Sequence, residues 1–97
     1  MDKQGRDKAR DLAYRLRGSV GQHLGPASKR QEGLIRLNCE RVVGEDYERF
    51  IFWLTGYEAG HLPKAWATVL IRLVVDRSEG LGKVETLYDF FTYRQSI

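Results

Sequence analysis

The chain has 97 residues, of which 42% are hydrophobic, and it carries a net charge of +3 at pH 7. A chain of this length supports one modest core, so we predict a single domain over residues 1–97. The one cysteine, Cys39, excludes an internal disulfide and favours a reducing compartment, and no apolar run is long enough to cross a membrane. Because the sequence also lacks a signal-peptide pattern, we expect a soluble cytoplasmic protein.

The charges are distributed unevenly along the chain. Residues 1–43 contain ten Lys or Arg and five Asp or Glu, whereas residues 44–97 contain six and eight. The aromatic residues show the opposite bias, because every Phe and Trp lies within 44–97. We therefore distinguish a basic half, residues 1–43, from an aromatic-rich half, residues 44–97, and expect a polyanion to bind the basic half.

A first helix is predicted over about residues 3–20, ending among the glycines that precede Pro26. Apolar residues recur on one of its sides at helical spacing: Ala9, Leu12, Ala13, Leu16 and Val20. Beside them lies a basic stripe of four cations within about 60° on a helical wheel, namely Lys3, Arg6, Arg10 and Arg17. Such a row can meet several phosphates at once, so the stripe predicts binding to a nucleic-acid backbone. The alternative is a solvated face, since Asp2, Asp7 and Asp11 lie on the same helix.

The second predicted helix spans about residues 29–43, because Ser28 and Gln31 have capping-box spacing and Gly44 can end it. Four more candidate phosphate-binding cations belong to it: Lys29, Arg30, Arg36 and Arg41. If the first two helices pack antiparallel, both basic rows border one groove that binds a backbone without reading sequence. Cys39 falls on the apolar side of this helix, which indicates a buried thiol rather than a nucleophile.

Three further helices complete the prediction of an all-α fold, a compact bundle of about five helices. The third is predicted over about residues 47–59 and begins at Asp46 as its cap. Its inward side is predicted to contain Tyr47, Phe50, Ile51, Leu54 and Tyr57. The fourth runs from Pro63 to about Arg77 and is apolar nearly all round, although its β-branched residues between 68 and 75 also suit a buried strand. A loop over 78–82 then leads into a last helix that extends to Arg94.

The aromatic side chains outnumber what a core of this size requires, so some are expected at the surface. Exposed rings stack on unpaired bases or anchor protein interfaces, and we favour an interface because the aromatic-rich half has few cations. The residues predicted to bind a partner are Phe52, Trp53, Tyr57 and Tyr93.

The sequence contains no recognisable catalytic or metal-binding motif. His23 and His61 stand beside glycine-rich turns without a cysteine or carboxylate at ligand spacing. The segment from Gly80 to Lys83 resembles a phosphate-binding loop only faintly, since Val84 occupies the place of the required hydroxyl, and we interpret it as a turn. We therefore predict no enzymatic activity, no metal or other cofactor and no small-molecule substrate.

Two segments, GYEAG at 56–60 and LYDFFTY at 87–93, together with the apolar helix between them, resemble the helical small subunits of CRISPR effector complexes, particularly of type III. The resemblance implies a noncatalytic subunit that contacts RNA or a displaced DNA strand through basic residues. We accordingly expect a nucleic-acid-binding subunit of a ribonucleoprotein in antiviral defence, with larger subunits and copies of itself as protein partners. The alternative is a helical adaptor or regulatory subunit that binds a partner protein through its aromatic-rich half.

Overall fold

The computed structural model describes residues 1–22, 25–76 and 79–96. Across these residues the chain forms α-helices, two short 3₁₀ turns (Gly44–Asp46 and Ala59–His61) and no strand. The five α-helices of the described residues are α1 (Lys3–Gly18), α2 (Lys29–Val43), α3 (Tyr47–Thr55), α4 (Lys64–Val75) and α5 (Gly80–Gln95). The predicted all-α bundle is confirmed, and the β-branched stretch after residue 68 is helical.

Local sequence signals set the ends of α1 and α2. α1 ends at Gly18, in the glycine-rich region where its end is predicted. Before α2, the Ser28 hydroxyl accepts a hydrogen bond from Gln31 N–H at 3.1 Å, and the Gln31 side-chain oxygen accepts one from Ser28 N–H at 3.0 Å. This reciprocal pair satisfies two backbone donors at the helix start. The predicted boundary between the fourth helix and the next loop, at Arg77 and Ser78, lies outside the described residues.

α3 is shorter than the sequence predicts. It ends at Thr55 because Gly56 adopts a φ of 80°, a left-handed conformation that glycine reaches without steric cost. Thr55 Oγ1 donates a hydrogen bond to the Ile51 carbonyl at 2.8 Å and accepts one from Tyr57 N–H at 3.0 Å, which fixes the turn. Tyr57 consequently leaves the predicted inward stripe and is 47% exposed. The other members of that stripe are buried as predicted: Tyr47, Phe50, Ile51 and Leu54.

Asp46 precedes α3 but does not cap it, contrary to the prediction. The 3₁₀ turn Gly44–Asp46 runs directly into the helix, and the Asp46 carboxylate makes no capping hydrogen bond. It accepts a hydrogen bond from Tyr88 Oη at 2.6 Å and lies 3.6 Å from Arg49. The hydrogen bond to Asp46 stabilises the protonated phenol and thereby raises the pKa of Tyr88. Asp46 therefore joins the start of α3 to the middle of α5.

α5 begins at Gly80, so residues 80–82 are helical and do not form the predicted loop. Gly80 is buried at the contact between α4 and α5. A Cβ atom at this position would overlap the main-chain carbonyl of Leu73. The close approach of the two helices therefore requires glycine at position 80. Gly80 serves helix packing and does not form the turn that the sequence predicts.

The helices pack around one core. α4 packs against both α2 and α5, and α2 also packs against α5. α1 lies along α5 in the antiparallel direction, because Arg6 contacts Tyr93 near the end of α5 while Arg15 borders the same cleft as Gly82 near its start. Among the described residues α1 does not pack along α2, so the predicted groove between the first two helices is absent. One buried cluster contains residues of all five helices, so the basic and aromatic-rich halves share a core.

Candidate nucleic-acid interface

The basic stripe of α1 is divided in the structure. Arg6 lies next to the buried Ala9 and Ala13 on the helical wheel, which puts it at the edge of the core. Arg6 Nη1 donates a hydrogen bond to Tyr93 Oη at 2.8 Å, and the guanidinium carbon is 5.2 Å from the centre of the Tyr93 ring. Arg6 Nε is buried without a hydrogen-bond partner among the described residues. Arg6 is therefore held against α5 and does not stand free in solvent.

Arg17, at the same edge of the core, caps the end of α3. Its Nε donates to the Leu54 carbonyl and its Nη2 to the Trp53 carbonyl, both at 3.0 Å. These carbonyls lie in the last turn of α3, where they have no partner within the helix and where the helix dipole favours a cation. The guanidinium carbon is also 5.4 Å from the centre of the Trp53 ring. Arg17 thus has a structural role that the stripe does not predict.

Replacing Arg17 with alanine is expected to lower the free energy of unfolding by about 1 kcal/mol, because two charge-assisted hydrogen bonds are lost at a partly solvated site. Arg10→Ala is the matched control, since the Arg10 side chain is 66% exposed and its one ion pair within the described residues, to Asp7, has a distance of 3.7 Å. Urea denaturation measures both variants. Equal stability of the two variants would contradict the capping role.

The remaining members of the stripe, Lys3 and Arg10, are exposed. Arg10 borders an open cleft of about 440 Å³ between α1 and the end of α5, which we call the arginine cleft. The residues that line it are Arg6, Arg10, Phe90, Tyr93 and Arg94. The Arg94 guanidinium carbon lies 5.8 Å from the centre of the Phe90 ring. Three arginines and two aromatic rings thus border one cleft, and no carboxylate is among these lining residues.

Phe90 and Arg94 line the arginine cleft but are not among the site residues predicted from the sequence. Their i, i+4 spacing puts them on one side of α5, which is a signal that the sequence does contain. This spacing alone does not indicate a binding site. The site forms because α1 lies along α5 and brings Arg6 and Arg10 beside this side of α5.

The predicted cations of α2 have different surroundings. Arg36 forms ion pairs with Glu40 at 2.6 Å and Glu48 at 3.1 Å, and its guanidinium carbon is 5.0 Å from the centre of the Tyr47 ring. The hydrogen bonds to Glu40 and Glu48 raise the pKa of Arg36. Its charge is therefore compensated by two carboxylates of the protein, which makes it less available to a phosphate than the sequence predicts. The other three are exposed and form no ion pair with any residue that the structure describes: Lys29, Arg30 and Arg41.

The four aromatic residues predicted to bind a partner differ in exposure. Phe52 is 57% exposed, and Tyr57 is also a surface residue. Trp53 and Tyr93 are half-buried beneath the guanidinium groups of α1. Phe52 and Trp53 border an open cleft of about 850 Å³ between α3, the 3₁₀ turn Ala59–His61 and α5, which we call the aromatic cleft.

The remaining groups of chemical interest are a thiol and two imidazoles. Cys39 is 1% exposed, as predicted for a core thiol, and burial raises its pKa to about 12, which disfavours the nucleophilic thiolate at neutral pH. His61 lies 3.3 Å from Glu58 at the surface, and His23 is outside the described residues. In the described ranges no cluster of three or more His, Cys, Asp or Glu could hold a metal ion, and no helix has the length and hydropathy of a membrane span.

Comparison with known proteins assigns no family to this chain. No family model matches the chain, and no curated protein or solved structure is significantly similar to it. The resemblance to CRISPR small subunits therefore stays a prediction, and the function has to be inferred from the geometry of the site.

Proposed function

We propose that this chain is a noncatalytic subunit that binds the phosphate backbone of RNA or single-stranded DNA through the arginine cleft, without reading sequence. The observation that carries the proposal is the convergence of Arg6, Arg10 and Arg94 on one cleft whose lining contains no carboxylate. Arginine suits phosphate because its planar guanidinium donates to two oxygens at once. Such contacts position a nucleic acid but carry no sequence information.

The arginine cleft is arranged to receive an anion. Tyr93 and Phe90 restrain the guanidinium groups of Arg6 and Arg94, which lowers the conformational entropy that binding has to remove. Arg10 is exposed, and its distance of 3.7 Å to Asp7 makes that ion pair weak, so its charge remains available to a phosphate.

The proposed setting is a cytoplasmic ribonucleoprotein with several subunits, as in the CRISPR effector complexes that the sequence resembles. Three arginines neutralise few phosphates, so the isolated chain is expected to bind with modest affinity that falls as salt is raised. Larger subunits and further copies of the chain would align several clefts along one strand and increase the affinity through avidity.

Charge reversal at Arg10 and Arg94 tests the proposal. We expect Arg10→Glu with Arg94→Glu to lower the affinity for a labelled single strand by tenfold or more, at about 1.4 kcal/mol per tenfold, and to reduce the slope of log Kd against log salt by about 2. Fluorescence anisotropy over a salt series measures both quantities. Lys64→Glu with Arg72→Glu makes the same change of charge at exposed positions of α4, outside the cleft, and is expected to have a much smaller effect.

Three results would contradict the proposal. The first is no binding by the wild-type chain even at low salt. The second is an equal loss of affinity in the two double variants, since this would indicate diffuse attraction and no defined cleft. The third is copurification of a protein partner without any nucleic acid, which would favour the adaptor alternative.

A further inference from the structure

The aromatic cleft has an apolar floor that is open to solvent. Three rings form this floor, those of Phe52, Trp53 and Phe91. Phe52 stands out because a phenyl ring that is 57% exposed loses the apolar contacts that the other rings make in the core. The aromatic cleft has a volume of about 850 Å³, which is within the range of small-ligand sites and is large enough for one planar ring.

Positive charges already occupy two of these rings. The Arg17 guanidinium carbon lies 5.4 Å from the centre of the Trp53 ring, and that of Arg49 lies 5.9 Å from the centre of the Phe91 ring. Arg49 borders the cleft, as do the carboxylates of Glu48 and Glu58, so the charges of the lining offset one another. The exposed ring of Phe52 therefore fits a neutral, planar group.

Polar groups surround the floor at positions where they can meet the edge of such a planar group. Arg49 Nη2 donates a hydrogen bond to Gln95 Oε1 at 3.3 Å on one side. Glu58 and His61, which lie 3.3 Å apart, border the cleft on the other. All four side chains are exposed and provide both donors and acceptors. A nucleobase has the matching chemistry, an apolar face and a polar edge.

The aromatic cleft and the arginine cleft lie on neighbouring surfaces of the end of α5. Phe90 and Arg94 line the arginine cleft, and their chain neighbours Phe91 and Gln95 line the aromatic cleft. The Trp53 ring contacts one residue of each cleft, because its centre lies 6.0 Å from that of the Phe90 ring and 5.6 Å from that of the Phe91 ring. A strand whose phosphates occupy the arginine cleft thus has a base within reach of the aromatic cleft.

We propose that the aromatic cleft binds one unstacked nucleobase of the strand whose phosphates occupy the arginine cleft, with the base against Phe52. This inference rests on the proposed function and narrows its ligand to a single strand, because a duplex keeps its bases stacked and paired. Stacking on Phe52 accepts any base, which agrees with binding that does not read sequence. Phe52 accordingly contributes to affinity without contributing to the salt dependence.

The test compares Phe52→Ala with the wild-type chain on four probes: a short oligouridine, a short oligothymidine, an abasic strand of equal length, and a duplex. We expect Phe52→Ala to weaken binding to both intact single strands by about tenfold, with an unchanged salt slope. The variant and the wild-type chain are expected to bind the abasic strand equally, since it keeps the phosphates and lacks the bases. Leu37→Ala is the control, because Leu37 is also exposed, at 59%, but belongs to α2.

The outcomes separate this inference from the proposed function. If Phe52→Ala leaves binding to the intact strands unchanged while the double variant of Arg10 and Arg94 loses affinity, the base site is wrong and the arginine cleft stands. If the loss in Phe52→Ala is as large on the abasic strand, stacking is not the cause and the inference is overturned. Tighter wild-type binding to the duplex than to the single strand also overturns it. If the wild-type chain binds none of the probes, the proposed function itself fails. Far-ultraviolet circular dichroism checks that both alanine variants fold.

Discussion

Replacing Phe50 with alanine is expected to lower the free energy of unfolding by about 3–5 kcal/mol, the range for removing a buried phenyl ring and leaving a cavity. Phe50 is 1% exposed. The centre of its ring lies 6.0 Å from those of Trp53 and Tyr88 and 5.9 Å from that of Phe91, so it joins α3 to α5. A small domain has a total stability of about 5–15 kcal/mol, so the variant loses a large share of it.

Thermal and urea denaturation measure this loss, and two variants frame it. Phe50→Leu keeps most of the apolar volume and is expected to cost clearly less than the alanine variant. Phe52→Ala removes the same ring at an exposed position of the same helix and is expected to change stability little. A Phe50→Ala variant as stable as Phe52→Ala would show that the aromatic cluster does not hold α3 on α5. Because the Phe50 ring packs against Trp53 and Phe91, both of which line the aromatic cleft, Phe50→Ala is also expected to disturb that cleft.

The helices could largely be predicted from sequence, because their signals are local. The capping box of Ser28 and Gln31 and the apolar spacing of α1 act within a few residues, and both appear in the structure. The last residue of α3 and the first residue of α5 could not be predicted from such local signals. Gly56 ends α3 inside an aromatic stretch whose spacing continues beyond it, whereas Gly80 begins a helix although a second glycine follows closely. Gly80 is required there by the close contact of α5 with Leu73 of α4, and no local sequence pattern reveals that contact.

The candidate site could be predicted only in part. The helical wheel places Lys3, Arg6, Arg10 and Arg17 together, and it also orders them by distance from the buried side. That order explains why Arg6 and Arg17 contact other helices while Arg10 stays exposed. The partners themselves are distant in sequence. Arg6 contacts Tyr93 from the aromatic-rich half, so the division into a basic and an aromatic-rich half separates residues that the fold combines.

Arginine on an aromatic ring is the recurring contact that links stability to the proposed site. Five arginines lie within 6 Å of a ring centre among the described residues: Arg6, Arg17, Arg36, Arg49 and Arg94. The guanidinium packs its flat face on a ring and can keep donors at its edge free. Arg17 and Arg36 use those donors inside the protein, whereas Arg94 makes no described ion pair and borders the arginine cleft. The same kind of contact thus accompanies a helix cap at Arg17 and, under the proposed function, presents the Arg94 cation to a phosphate.

Replacing Gly80 with alanine is expected to lower the free energy of unfolding by about 3 kcal/mol, at the upper end of the cost of overpacking a core. The added methyl group would overlap the Leu73 carbonyl, and the third near atom is Asp76 Cβ at 3.3 Å. The obstacle is main chain and not the end of a flexible side chain, so relief requires α4 and α5 to move apart. That movement would weaken the contacts of Leu87 and Val84, both of which are buried in α5.

Gly82→Ala is the matched control in the same helix. Gly82 is exposed, and a Cβ atom there meets nothing within 4 Å. Alanine is expected to raise stability by about 0.5 kcal/mol at this position, because it restricts the unfolded chain and favours the helix. The two substitutions add the same methyl group two residues apart, so opposite signs in urea denaturation would isolate the close approach of α4 and α5. A stabilised Gly80→Ala variant would mean that the helices do not meet at Leu73, and α5 would then have no steric reason for a glycine at its start.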